Sequence, residues 1–258
     1  MLETFRSSSA DLCIVESQAE SRASGVHVGR LNVWSSGAAS AEAIRRIISH
    51  SDYDVVIIRA DASNMSFGAD LQCSEFMSWQ ADTLLYFELS SEREQSSADS
   101  VEMRQLHKDD RQLADQLVAE IFADYRNHYS TNIQLAKIDL VDAYQDWTAN
   151  FLESESGSVW VARNPNTEPV GICVLDESQE NCHEIVLAGI VPSQRRMGLY
   201  SDMVRAVALR ASSMSIQRIV ISTQAANVSV MRTWCRLGFV PTRAINTFHV
   251  VRKTGSFH

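Results

Sequence analysis

Residues Glu184-Ile-Val-Leu-Ala-Gly-Ile-Val-Pro-Ser-Gln-Arg-Arg-Met-Gly-Leu-Tyr form an apolar run that breaks at Pro192 and resumes past Gly198 as an amphipathic stretch. The pattern predicts a buried strand, a tight turn and a helix. The first backbone N–H groups of a helix lack partners and its dipole is positive there, so such a turn can take a pyrophosphate. Gly198 lets the backbone approach a ligand closely, and Arg195 and Arg196 add positive charge. A nucleotide-binding P-loop would need G-x-x-x-x-G-K-[ST], which the chain lacks. A plain strand-to-helix connection with arginines in solvent is the competing reading. At the start of the run Glu184, with His183 beside it, supplies groups that can take or give a proton. A third set is aromatic and amide: Tyr125, His128 and Tyr129 within Ala123–Asn132, followed by Tyr144 and Trp147. Such side chains stack on a sugar ring and hydrogen-bond its hydroxyls. The alternative is an aromatic surface loop packing on its own domain.

Charge is segregated along the chain. Of the formal −9, residues 191–258 contribute +9 and the preceding residues −18. A basic segment favours an anionic ligand, or is a basic surface without a partner. It has no Lys/Arg run interleaved with aromatics, so no nucleic-acid partner is expected. The five cysteines are scattered and never in C-x-x-C spacing, which suggests core thiols, no disulfide framework and no metal. No run approaches the roughly 20 apolar residues that span a bilayer, and the first residues do not read as a leader, so a cytoplasmic location without membrane partners is expected.

The elements that must position these residues are legible in outline. Ser91–Ser100 is polar and has the character of a linker, which predicts two domains, 1–92 and 99–258. In the first, Asp11–Val15, Val26–Trp34, Asp54–Ile58 and Thr83–Leu89 read as strands, and Ala41–Ile48 as a helix opened by Ser40. In the second, a strand over Val101–His107 precedes a helix to Phe122 capped by Asp109 and Asp110, then a helix over Leu140–Leu152. Ser158–Arg163, Pro169–Leu175 and Glu184–Val191 read as an antiparallel meander. Helix Leu199–Ser212, strand Arg218–Thr223, helix Ser229–Leu237 and strand Ala244–Arg252 complete the order. A weak echo between the two halves, each with helix, strand, Asn64 or Asn227, helix and strand, reads as a duplication or as coincidence.

With this order, Ile190-Val191-Pro192, Arg195, Gly198 and Tyr200 resemble the signature V-x-P-x-x-[RQ]-x-x-G-x-[GA] of the GNAT N-acyltransferase family, and Asn227 and Gly238-Phe239 fit its later part. The resemblance, over about Val101–Arg252, implies an α/β (α+β) GNAT fold. Its central sheet would be mixed and mostly antiparallel, flanked by helices and preceded by a smaller degenerate GNAT-like domain. It implies acyl-CoA, acetyl or a short hydroxyacyl, as co-substrate without a metal. Ile190, Val191, Arg195, Arg196, Met197, Gly198, Leu199, Tyr200, Asn227 and Ser229 would then be cofactor-binding. The family's strand before the turn splays from its neighbour and pairs with the pantetheine arm; Asn227 alternatively is only a helix N-cap. Glu184 corresponds to a catalytic base of some members. Trp234 stands where many members have a tyrosine acid, and Tyr200 where most have a small residue. Tyr144-Gln-Asp-Trp147, Thr223-Gln224 and Asn227 resemble the bacterial dTDP-amino-sugar N-acyltransferases, including the dTDP-fucosamine acetyltransferases. This implies acylation of a nucleotide-linked amino-deoxy sugar for surface polysaccharide (lipopolysaccharide) synthesis, with Gln224 on the acceptor side. Acylation of a peptide or another small amine, or a non-catalytic acyl-CoA sensor, are the alternatives. A homodimer is the default expectation.

Overall fold

The computed structural model describes residues 13–33, 41–90, 95–98 and 100–253. Asp11, Trp34, the expected cap Ser40 and residues 91–94 and 99 of the linker lie outside them. The chain forms two compact units that are interleaved in sequence: Met1–Leu85, Arg126–Asp139 and Arg243–His258 make the first, Tyr86–Tyr125 and Leu140–Thr242 the second. This differs from the expected partition into 1–92 and 99–258. The cause is long-range pairing, because the last strand of the chain hydrogen-bonds to a strand near its start.

In the first unit, β1 (Val15–Glu16), α1 (Gln18–Ser24), β2 (Val28–Val33), α2 (Ala41–Ser49), β3 (Val55–Asp61), α3 (Phe67–Asp70) and β4 (Phe76–Ser90) follow in order, β4 continuing into the second unit. β2 and β3 are parallel, as the helical crossover between them requires. Strand residues alternate between faces. One face, with Leu31, Val33, Val56, Ile58, Ala60, Phe248 and Val250, packs with Ile44, Ile48, Phe67 and Leu71 into a hydrophobic core. The β-branched run of β3 explains its place at the centre. The helix α1 is absent from the expected order, being too short for a full apolar period to show, whereas the four-residue α3 falls after Asn64, where the echo between the halves expects a helix.

In the second unit, β5 (Glu102–Leu106) leads to α4 (Arg111–Phe122), α5 (Leu140–Glu153), β6 (Gly157–Arg163), β7 (Pro169–Gln179) and β8 (Cys182–Ile190). Then come α6 (Leu199–Ser213), β9 (Arg218–Gln224), α7 (Val228–Leu237) and β10 (Val240–Arg252), which runs on into the first unit. Strand order here is β4-β9-β8-β7-β6-β5, with β5 to β8 antiparallel and β9 parallel to β8. The sheet is thus mixed and mostly antiparallel, as the resemblance implies. Ala114, Leu117, Val118, Ile121 and Phe122 recur at helical spacing and bury one face of α4. That face lies so close to β8 that a Cβ on Gly189 would collide with Ile121. The last strand of the first unit, the end of β10, pairs antiparallel with β3 from Ile245 opposite Asp61 to Val251 opposite Val55.

Candidate active site

β8 and β9 pair over a short stretch only. Registered partners run from Cys182–Arg218 to Ile185–Ile221, while β8 continues to Ile190 and β9 to Gln224. Beyond that point the two strands part, leaving a wedge with backbone along its edge. On its other side β8 departs from regular register: Val174 faces Leu187 while Leu175 faces Ile185, so Val186 is an extra residue. Such a bulge twists a strand and re-aims its side chains, and Glu184 lies two residues from it.

The end of α4 ties both parted strands. Arg195 donates from Nε to the Ile190 carbonyl at 3.2 Å and from its terminal nitrogen to the Ile121 carbonyl at 2.9 Å. Tyr125 donates from its hydroxyl to Gln224 Oε1 at 3.3 Å. Arg195 is therefore in part a structural clamp, which its place in a basic turn does not reveal. Between wedge and helix the chain passes a 3₁₀ turn at Pro192–Gln194 and two residues with positive φ, Arg196 at 68° and Gly198 at 83°. Gly198 precedes the 15-residue α6, and a Cβ built on it would meet nothing within 4 Å. Its need is conformational, and the space beside it leaves the first amides of α6 open to a ligand. Arg196 and Met197 are exposed on the same turn.

Residues 115–239 match the family model described as the Acetyltransferase (GNAT) family. The match covers a little under half of the chain, spans the wedge and the turn, and supports an acyl-CoA-dependent N-acyltransferase. The whole chain is similar in fold to the GCN5-related N-acetyltransferase of Sphaerobacter thermophilus, with a TM-score of 0.62 and 11% identity over 93% of this chain and 76% of that one. A functionally unknown conserved protein of Staphylococcus epidermidis gives 0.58 and 11%, over 97% and 98%. The GCN5-related N-acetyltransferase of Kribbella flavida gives 0.54 and 11%, over 90% and 83%. No curated protein matches the chain.

Within the matched segment, Ile190, Val191 and Leu199 are buried where wedge and turn meet. Asn227 stands at the N-terminus of α7, yet its side chain makes no bond to the helix; its Nδ2 donates to Thr223 Oγ1 at 3.1 Å. The capping role that asparagine suggests is therefore unfilled, and Asn227 braces the end of β9. Ser229 is exposed on the first turn of α7. Trp234 is 1% exposed, packs its ring edge-on to Phe87 at 5.3 Å and donates from Nε1 to the Tyr200 hydroxyl at 3.1 Å. An indole has no acidic proton of useful pKa, and this one is spent on a hydrogen bond. Trp234 and Tyr200 are the two departures from the family pattern, and here they contact each other. Burial holds the Tyr200 hydroxyl above its ordinary range, so it stays protonated.

The acceptor candidates divide between the units. Tyr125, Tyr144, Trp147 and Gln224 lie in the second, where Phe122, Tyr125, Tyr144, Trp147 and Phe151 form a continuous aromatic ladder with ring centroids 5.1–6.4 Å apart. Tyr144 and Trp147 are buried in it, whereas Tyr125 is half-buried and Gln224 partly exposed. His128 and Tyr129 lie in the first unit, both buried. Of the ten basic residues after Ile190, four are in ion pairs among the described residues: Arg205 with Asp202, Arg210 with Glu177, Arg218 with Glu88 and Arg243 with Asp61. Among the described residues no group of His, Cys, Asp or Glu could hold a metal ion, and no helix is long and apolar enough to cross a membrane.

Proposed function

We propose that the chain transfers an acyl group from acyl-CoA to the amine of a small, polar acceptor, a nucleotide-linked amino-deoxy sugar, in a ternary complex. The observation that carries the reading is the wedge between β8 and β9 ending at the open amides of α6. The helix terminus, with Gly198 and Arg196, suits a pyrophosphate; the edge of Val186–Ile190 suits an extended amide-bearing arm, in the manner of an added strand. Acyl-CoA supplies the activated thioester. Glu184 takes the amine proton before attack, directly or through water, and water protonates the departing thiolate, because Trp234 has no proton to give. The sugar assignment rests on half-buried Tyr125 beside Gln224 at the end of β9, an aromatic face and an amide of the kind that grips a hydroxylated ring.

The test is thiol release from acetyl-CoA and 3-hydroxybutyryl-CoA with dTDP-linked 3-amino and 4-amino 6-deoxy sugars, polyamines and a basic peptide. Turnover with one nucleotide sugar supports the reading. Turnover with peptide or polyamine alone replaces the acceptor, and coenzyme A binding without turnover of any amine replaces catalysis by sensing.

A further inference from the structure

The two faces of the first unit's sheet differ sharply in chemistry. Opposite its apolar core, Arg30 on β2, Arg59 on β3 and Thr247 and His249 on β10 share one face. The register sets Arg30, Ile57 and His249 in one row, and Asn32, Arg59 and Thr247 in the next. Directly opposed strand residues have neighbouring Cβ atoms, so Arg59 and Thr247 are in reach of each other. Glu20 of α1 and residues 126–139 cover this face: Glu20 is paired with Arg30 and Tyr129, and Tyr129 also bonds Arg30. His128 Nδ1 is 2.8 Å from His249 Nε2, and Trp79 lies edge-on to His249 while donating to Thr131.

Most of these groups are satisfied, but Thr247 Oγ1, His249 Nδ1 and Asn132 Nδ2 are buried without a hydrogen-bond partner. Thr247 and His249 are 0% exposed and Asn132 2%. Folded proteins rarely bury such atoms unpaired, and each exception calls for an explanation such as strain, a chemical role or a bound group. All three can be donors. Asn132 Nδ2 is a donor outright. When His128 donates from Nδ1, His249 holds its one proton on Nδ1, facing away from the pair. The guanidinium groups of Arg30 and Arg59 act on His128, and the Glu20 carboxylate paired with Arg30 offsets part of their charge.

We propose that this face binds a small ligand bearing an oxyanion, a carboxylate or a phosphate group, through Thr247 and His249, with Asn132 as a third donor. None of its residues belongs to the turn before α6, and the proposal does not rest on the acyl-transfer reading. The burial of the donors implies that the ligand is enclosed, with residues 126–139 moving to admit it.

Thermal unfolding and calorimetry of the full chain test it, with sodium phosphate and sodium acetate as probes against chloride at matched ionic strength. The variants are Thr247→Val, which keeps the shape and deletes the hydroxyl, and Gly198→Glu, which blocks the turn in the other unit. A saturable rise in Tm with either probe is expected, and the probe that acts tells phosphate from carboxylate. It should persist in Gly198→Glu and weaken about tenfold or more in Thr247→Val, equivalent to about 1.4 kcal/mol. In the absence of either probe Thr247→Val should be no less stable than the parent, because it removes an unpaired buried hydroxyl. Three results overturn the proposal. One is no saturable response to either probe; the second is undiminished affinity in Thr247→Val. The third is a response abolished by Gly198→Glu, which would move the anion to the turn and leave the acyl-CoA reading intact.

Discussion

Replacing Glu184 with glutamine preserves shape and removes the only change that matters to a base, its capacity to take a proton. If Glu184 deprotonates the amine, Glu184→Gln lowers kcat about 10²-fold or more with little change in KM for acyl-CoA, and the loss is largest below the pKa of the acceptor amine. A pH–rate profile parallel to that of the parent would remove Glu184 from the mechanism. Trp234→Phe asks the opposite question. It keeps the ring against Phe87 and deletes the bond to Tyr200, so the chain should lose about 1 kcal/mol of stability while kcat stays within a few-fold. A collapse of kcat in a stable variant would restore Trp234 to the chemistry. At this scale the sequence identifies residue types but not their partners. Nothing in the spacing of Trp234 and Tyr200, on different helices, says that they touch, and nothing in Arg195 says that its guanidinium clamps two carbonyls.

At the scale of elements, the apolar run of β8, Pro192 and Gly198 fix a strand, a turn and a helix, because each is a local constraint on backbone dihedrals. Gly198 combines a φ of 83° with open space, so Gly198→Ala and Gly198→Glu separate two effects. Alanine pays only the left-handed conformation, about 1–2 kcal/mol, and should weaken coenzyme A binding a few-fold. Glutamate adds bulk and negative charge where a pyrophosphate would lie, and calorimetry should show coenzyme A affinity falling about 100-fold or more. Equal affinities for all three proteins would argue against the turn as a phosphate site. The parting of β8 and β9 is less legible. The resemblance implies it, but the residues of Val186–Ile190 read as ordinary strand, and the point where pairing ends at Ile185 depends on the clamps from α4 and on the bulge at Val186. Likewise α1 escapes a search for periodicity, since two turns carry too few apolar positions.

On the scale of the whole molecule, what local pattern cannot give is long-range pairing. The polar stretch at Ser91–Ser100 reads as a linker, yet the return of β10 to β3 and the docking of residues 126–139 interleave the units. Charge behaves in the same way: within the +9 segment Arg210, Arg218 and Arg243 are partners for acidic residues found elsewhere. The first unit's buried network gives these long-range contacts a measurable signature. Burial holds the His249 imidazole down from its ordinary 6.5 to about 4, and burial, with the neighbouring His249 and Arg59, lowers His128 as well. Between about pH 6.5 and pH 4 the unfolded chain therefore binds more protons at these sites than the folded one, so stability falls as pH drops through that window. For Glu20, burial would raise the carboxyl, but the charge and hydrogen bonds of Arg30 outweigh it and hold the group well below the ordinary 4.5. Its contribution is present above about pH 4.5 and is lost as pH falls below it, the same sign as the histidines. Urea midpoints at about pH 7.5, 6.5, 5.5 and 4.5 should decline steadily below pH 6.5, while each unit of pKa difference is worth about 1.4 kcal/mol. His249→Phe should flatten the decline between pH 6.5 and 5, whatever its effect at neutral pH. If the variant keeps the parent's slope, the acid lability has its origin outside the histidine pair, and the network is not what holds residues 126–139 to the first unit.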